Sequence, residues 1–259
     1  MPHNDQPAEA LSSIEDFEVE FPTEKALAGR VWRVRLLAYE KLGRLDEATR
    51  AIPAYMAADP ADGGATLQSL YEDLAADVGR LRTLGGVSDA QRKADLALLL
   101  AEQIGAWAMR SQDASTLPDR ERATLQLAEA NLSAGHPQRA RELFDSLLAP
   151  LGEGSTDRSA GPLSARFGRA EALFQLGEYG QALVGFNKLA TSLPPDHVVR
   201  WQSLLRDLEC RAALGEPPQG IIKVIQQQKH MYPELGGPTF APRFEKLLRE
   251  NGRRADEGR

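Results

Sequence analysis

Glu129, Glu171 and Glu209 each stand six residues ahead of a glycine: Gly135, Gly177 and Gly215. If those glycines occupy equivalent turns, the three carboxylates occupy equivalent points on successive helices. A row of like charges would receive a basic or amphipathic segment of another protein, with charge setting encounter and selectivity. Phe167 and Phe174 flank Glu171 and would add apolar contact. Arg30 and Arg33 hold corresponding early positions upstream, so a groove built this way would be positive at one end and negative at the other. The competing expectation is a solvated face whose glutamates pair with Arg169, Arg206 or Arg211, glutamate being a good helix former in any case.

Catalytic chemistry has less to stand on. His3, His136, His197 and His230 are dispersed, and none pairs with Cys210 at metal-ligand spacing. No paired-histidine zinc helix or four-cysteine set occurs, so no metal site is expected. Cys210 is the only cysteine, which rules out an intramolecular disulfide. As a nucleophile it would need an adjacent base, and its setting after Leu208 and Glu209 reads as a small core residue. Gly63-Gly64, Gly85-Gly86 and Gly236-Gly237 lack the lysine and hydroxyl residue of a phosphate loop and read as turns. Carboxylates are plentiful, but nothing singles out an acid–base pair. The expectation is no catalytic residue and no cofactor.

The glycines belong to a longer pattern. Five glycines are each followed five residues later by a small residue: Gly43/Ala48, Gly85/Ala90, Gly135/Ala140, Gly177/Ala182 and Gly215/Gly220. Leu42, Leu84, Ala134, Leu176 and Leu214 precede them. Seven residues before lie Leu36, Val78, Ala128, Ala170 and Leu208, and nine after lie Ile52, Ala94, Phe144, Phe186 and Val224. The intervals between the glycines are 42, 50, 42 and 38 residues. Such self-similarity is the mark of stacked two-helix repeats, which turns the question from a catalyst to a partner. Each glycine ends a first helix because a left-handed backbone angle strains it little. Each small residue lies where the helices cross.

The first repeat makes the resemblance specific. Trp32, Arg35, Leu36, Tyr39, Gly43, Ala48, Ile52 and Pro60 follow the order of the tetratricopeptide signature, with Arg35 and Leu36 in place of its Leu-Gly and Ile52 in place of its aromatic. The fourth repeat, with Ala170, Leu173, Gly177, Tyr179, Ala182, Phe186 and Pro194, is nearly as close. The third departs at Asn131, the fifth at Arg211 and Gly220, and the second, with its small Ala94 and its GGVSD loop, reads as a distorted pair. The chain thus resembles a tetratricopeptide repeat protein. The resemblance implies an all-α, right-handed superhelical solenoid of about five antiparallel helix pairs, with a concave face lined by first helices.

The repeats are expected near 29–62, 65–112, 118–150, 163–196 and 200–233, with a candidate flexible joint in the Gly/Ser-rich stretch 151–162. Further loops are expected at Pro60–Gly64 and Ser111–Pro118. Residues 1–15 read as a disordered tail, and Phe17–Pro22 as the end of a second helix whose own first helix is missing. A capping segment, 235–252, is expected to place Phe244, Leu247 and Leu248 over the end of the stack, ahead of a disordered tail at 253–259.

Composition agrees with helices: 42% of residues are hydrophobic but only 6% aromatic. A net charge of −6 argues against a general nucleic-acid partner. No apolar run reaches the roughly 18 residues of a membrane helix, and the polar start shows no secretory pattern. The reading is a soluble, cytoplasmic, non-catalytic module that binds a protein or peptide. The alternatives are a scaffold or spacer segment of a larger, envelope-associated assembly and, less favoured, an enzyme on a helical-repeat frame.

Overall fold

The computed structural model describes residues 6–58, 63–110, 117–152 and 159–257. Most of the expected loops, at 59–62, 111–116 and 153–158, lie outside the described residues. So does His3. Among the described residues the secondary structure is entirely helical. The chain divides into two compact units, Met1–His136 and Pro137–Arg259. The stretch 151–162, read from sequence as a joint, therefore lies within the second unit, and Ala160–Pro162 begin a helix there.

The first unit contains α1 (Pro7–Ser13), α2 (Phe17–Glu20), α3 (Lys25–Lys41), α4 (Leu45–Ala58), α5 (Gly63–Thr83), α6 (Val87–Arg110) and α7 (Leu117–Ala134). Its core joins Trp32, Leu36, Ile52, Tyr55, Leu67, Leu70, Leu74, Leu96 and Leu100. Trp32 lies against Tyr55 with ring centroids 5.4 Å apart. The 24 residues of α6 stretch the Gly85–Gly135 interval to 50 without disturbing the turn before it.

The second unit contains α8 (Pro137–Leu148), α9 (Ala160–Gln175), α10 (Tyr179–Ser192), α11 (Val198–Ala213), α12 (Pro218–Met231) and α13 (Ala241–Glu257). Phe144, Leu173, Phe186, Leu208, Ile221, Ile225 and Phe244 are among its fully buried large side chains. In both units helices pack on their chain neighbours, as in α5 on α6, α6 on α7, α8 on α9 and α10 on α11.

The five register glycines adopt φ values of 68° at Gly43, 83° at Gly85, 89° at Gly135, 76° at Gly177 and 79° at Gly215. Each is the C′ residue of a complete Schellman turn. The glycine N–H bonds to the carbonyl three residues back, as Gly177 does to Phe174 at 3.0 Å. The next N–H reaches five residues back: Arg44 to Tyr39, Gly86 to Leu81, His136 to Asn131, Glu178 to Leu173 and Glu216 to Arg211. These bonds satisfy carbonyls that a helix end would otherwise leave orphaned. Ala48, Ala90, Ala140 and Ala182 are buried where the helices cross. The residue ahead of the glycine varies in burial: Leu84 and Leu214 are 75% and 54% exposed, whereas Ala134 is buried.

The fifth turn is one residue longer. α12 starts three residues after its glycine, whereas α4, α6, α8 and α10 start two after theirs. Pro217 and Pro218 account for this, since proline suits the first helical position and Pro218 takes it. The inward face consequently moves from Gly220 and Val224 to Ile221 and Ile225, which are 1% and 0% exposed.

Both ends carry more helix than the sequence suggested. Residues 7–13, expected to be a disordered tail, form α1 with Pro7 in its first turn, and α1 packs on α3. Arg35 donates to the carbonyl of Ile14 at 2.8 Å and stacks over Trp32 at 4.4 Å, which ties this end down. At the other end α13 continues to Glu257, through positions expected to be a tail. Phe244 is fully buried, with Leu247 and Leu248 packed beside it.

Candidate functional site

Within each unit, consecutive first helices are bridged side by side. In the first unit, Arg33 of α3 pairs with Asp73 of α5. Arg122 of α7 reaches Glu72 of α5 at 2.9 Å, and the buried Tyr71 hydroxyl donates to the carbonyl of Gln126 at 3.0 Å. In the second unit, Arg206 of α11 crosses to Glu171 of α9 at 2.5 Å. The first helices of each unit are thus laced together by ion pairs.

The three glutamates differ in their surroundings. Glu171 is 8% exposed, and burial pushes its carboxyl above the ordinary range against the pull of Arg206. Arg206 also holds the half-buried Glu209 at 2.5 Å and stacks over the Phe174 ring at 4.8 Å. One guanidinium thus serves two carboxylates. Glu129 has no such support. Its side chain is open to water at one side, yet the surrounding protein desolvates the carboxyl and raises its pKa. Among the described residues it has no ion-pair partner.

The aromatic and basic candidates also separate. Phe167 is half-buried against Phe186, ring centroids 5.7 Å apart, and Phe174 against Tyr179 at 5.3 Å. Arg33 is neutralised by Asp73, whereas Arg30 is exposed.

Other charged clusters were not apparent from sequence. Glu40 of α3 is 2% exposed, facing Arg92 at 3.7 Å and Lys93 at 3.9 Å, and burial raises its carboxyl. Asp207, equally buried, takes Arg211 at 2.6 Å and Asn187 at 3.3 Å. Asp207 and Arg211 are an i,i+4 pair within α11, but Arg92, Lys93 and Asn187 come from other helices, and no spacing along the chain announces them.

The remaining chemical candidates have structural duties. The Cys210 thiol is fully buried and pushed up to about 12 by desolvation and by Asp207, the reverse of what a thiolate nucleophile requires. His197 caps α11, its Nδ1 accepting from the Val199 N–H at 3.2 Å. Among the described residues no group of three His, Cys, Asp or Glu side chains is placed to hold a metal ion. No described helix is long and apolar enough to cross a membrane.

Comparison with known families, curated proteins and solved structures returned no match. Function must be argued from this geometry.

Proposed function

We propose that this chain is a non-catalytic binding module of the tetratricopeptide type, whose first-helix faces receive a basic or amphipathic segment of another protein. The observation that carries the reading is Glu129: an exposed carboxylate with no ion-pair partner among the described residues, on a face where neighbouring charges are paired. A lysine or arginine from a partner would supply the missing cation, a pairing available only in the complex. Glu171 and Glu209, which share Arg206 between them, offer a related preference in the second unit. The recurrent turn motif supports a stack of similar helix pairs, and buried Cys210 gives no support to an enzyme. Crosslinking pull-down from the source organism with the wild-type chain and a Glu129→Gln/Glu171→Gln/Glu209→Gln variant tests the proposal. A crosslinked protein captured by the wild type and lost from the folded variant is the expected result; an identical set of partners would remove the acidic face from the account.

A further inference from the structure

A second site of a different kind lies where the start of α11 meets the α12–α13 connection, and it involves none of Glu129, Glu171 or Glu209. A cavity of about 480 Å³ opens there between Pro195, Val198, Trp201, Met231, Tyr232, Pro233, Phe240 and the backbone of Leu235–Gly237. That volume falls within the roughly 300–1,000 Å³ typical of ligand and anchor pockets.

The walls are held in place. Trp201 donates its indole N–H to the carbonyl of Pro195 at 2.7 Å and meets Tyr232 edge-on at 5.8 Å. Gly236 lies so close to the indole that a Cβ there would fall 2.5 Å from Trp201 Cγ. The connection bonds to itself, Leu235 to Tyr232 at 2.9 Å and Gly237 to Glu234 at 2.7 Å. Leu235, at φ 43°, is the one non-glycine with a positive φ among the described residues. Such strain persists only where the surroundings over-determine it, and it gathers at binding sites. A pocket already in its bound shape gives up little freedom when filled.

The mouth is apolar with an acidic rim. Val198 and Met231 are 56% and 54% exposed at its edge. Asp196 and Glu234 are the only charged residues among those lining it, and both are exposed. Arg200 is held by the walls: it donates to the carbonyl of Leu193 at 2.8 Å and stacks over the Tyr232 and Trp201 rings at 5.0 and 5.6 Å. We propose that this cavity is an anchor pocket for a protein segment that inserts an apolar side chain and places a lysine or arginine beside it. The aromatic floor takes the apolar group, the exposed pair Val198 and Met231 completes its cover, and Asp196 and Glu234 meet the flanking cation.

Nuclear magnetic resonance of the labelled full chain tests this with three synthetic heptapeptides: a central leucine between lysines, a central leucine between glutamates, and a central serine between lysines. The lysine–leucine–lysine peptide should shift the Gly236 and Gly237 amides and the Trp201 indole N–H saturably. The other two should bind at least about tenfold more weakly. Val198→Asp/Met231→Asp, at exposed positions, should abolish the shifts in a folded protein. Asp196→Asn/Glu234→Gln should remove the preference for lysine over glutamate flanks. Absence of a saturable shift would overturn the proposal. So would equal response to the glutamate-flanked peptide, which would mark a pocket for any small apolar group, or to the serine peptide, which would mark a merely acidic rim.

Discussion

Phe144 of α8 fills the space that a side chain at Gly168 of α9 would need: a Cβ there would fall 2.2 Å from the Phe144 Cζ. The two helices approach closely because one contributes no side chain and the other a fully buried ring. Gly168→Ala should therefore destabilise the protein by about 1–3 kcal/mol through overpacking. The exposed Gly79 of α5, with nothing within 4 Å of its Cβ position, is the control. Gly79→Ala should stabilise by about 0.5–1 kcal/mol, as alanine does within a helix. Urea denaturation of both variants checks the pair.

The one-residue shift in α12 predicts unequal alanine substitutions. Ile221 is 1% exposed and Val224 only partly buried. Ile221→Ala should cost about 2–5 kcal/mol, the range for emptying a core site, and Val224→Ala markedly less. Equal losses in chemical denaturation would mean that the inward face follows the register of the other four pairs.

These positions mark how far the sequence could be read. The turn glycines were legible because a positive φ restricts the choice of residue, so spacing alone found all five. The shift at Pro217-Pro218 was not, since a one-residue insertion leaves apolar residues on both candidate faces. α1 was obscured by its polar composition; its hold on α3 comes partly through Arg35, which is distant in sequence. The Glu129, Glu171 and Glu209 equivalence was visible from the glycines. Arg206 was among their expected partners, but which glutamates it would hold was not legible, because it reaches Glu171 across helices, 35 positions along the chain.

Glu129 makes a prediction about pH. Its carboxyl is raised above 4.5 in the folded protein by desolvation, so the native state binds the proton more tightly than the unfolded chain. Stability then falls as pH rises from about 4.5 through the folded value, because the unfolded state loses its proton first. Glu129→Gln lacks this loss. The variant should gain on the wild type between pH 4 and pH 7, as read from urea midpoints at a series of pH values (about 4, 5, 6 and 7). A variant that instead loses ground over that range would show that the carboxylate is stabilised in the native state.

Cys210 should be inert in the native protein. With its thiol buried and raised to about 12, a thiol reagent at mildly alkaline pH should react only as the chain unfolds. The labelling rate should rise steeply with urea, while rapid labelling of native protein would reopen the nucleophile reading.

The central claim, recognition of a basic segment by the first-helix faces, is tested most directly by calorimetric titration of the full chain with a lysine-bearing amphipathic helical peptide and with its glutamate-bearing counterpart. The account predicts saturable, salt-weakened binding of the lysine peptide alone, reduced about tenfold in the folded Glu129→Gln/Glu209→Gln variant. Equal binding of the two peptides, or undiminished binding of the lysine peptide to that variant, would contradict it.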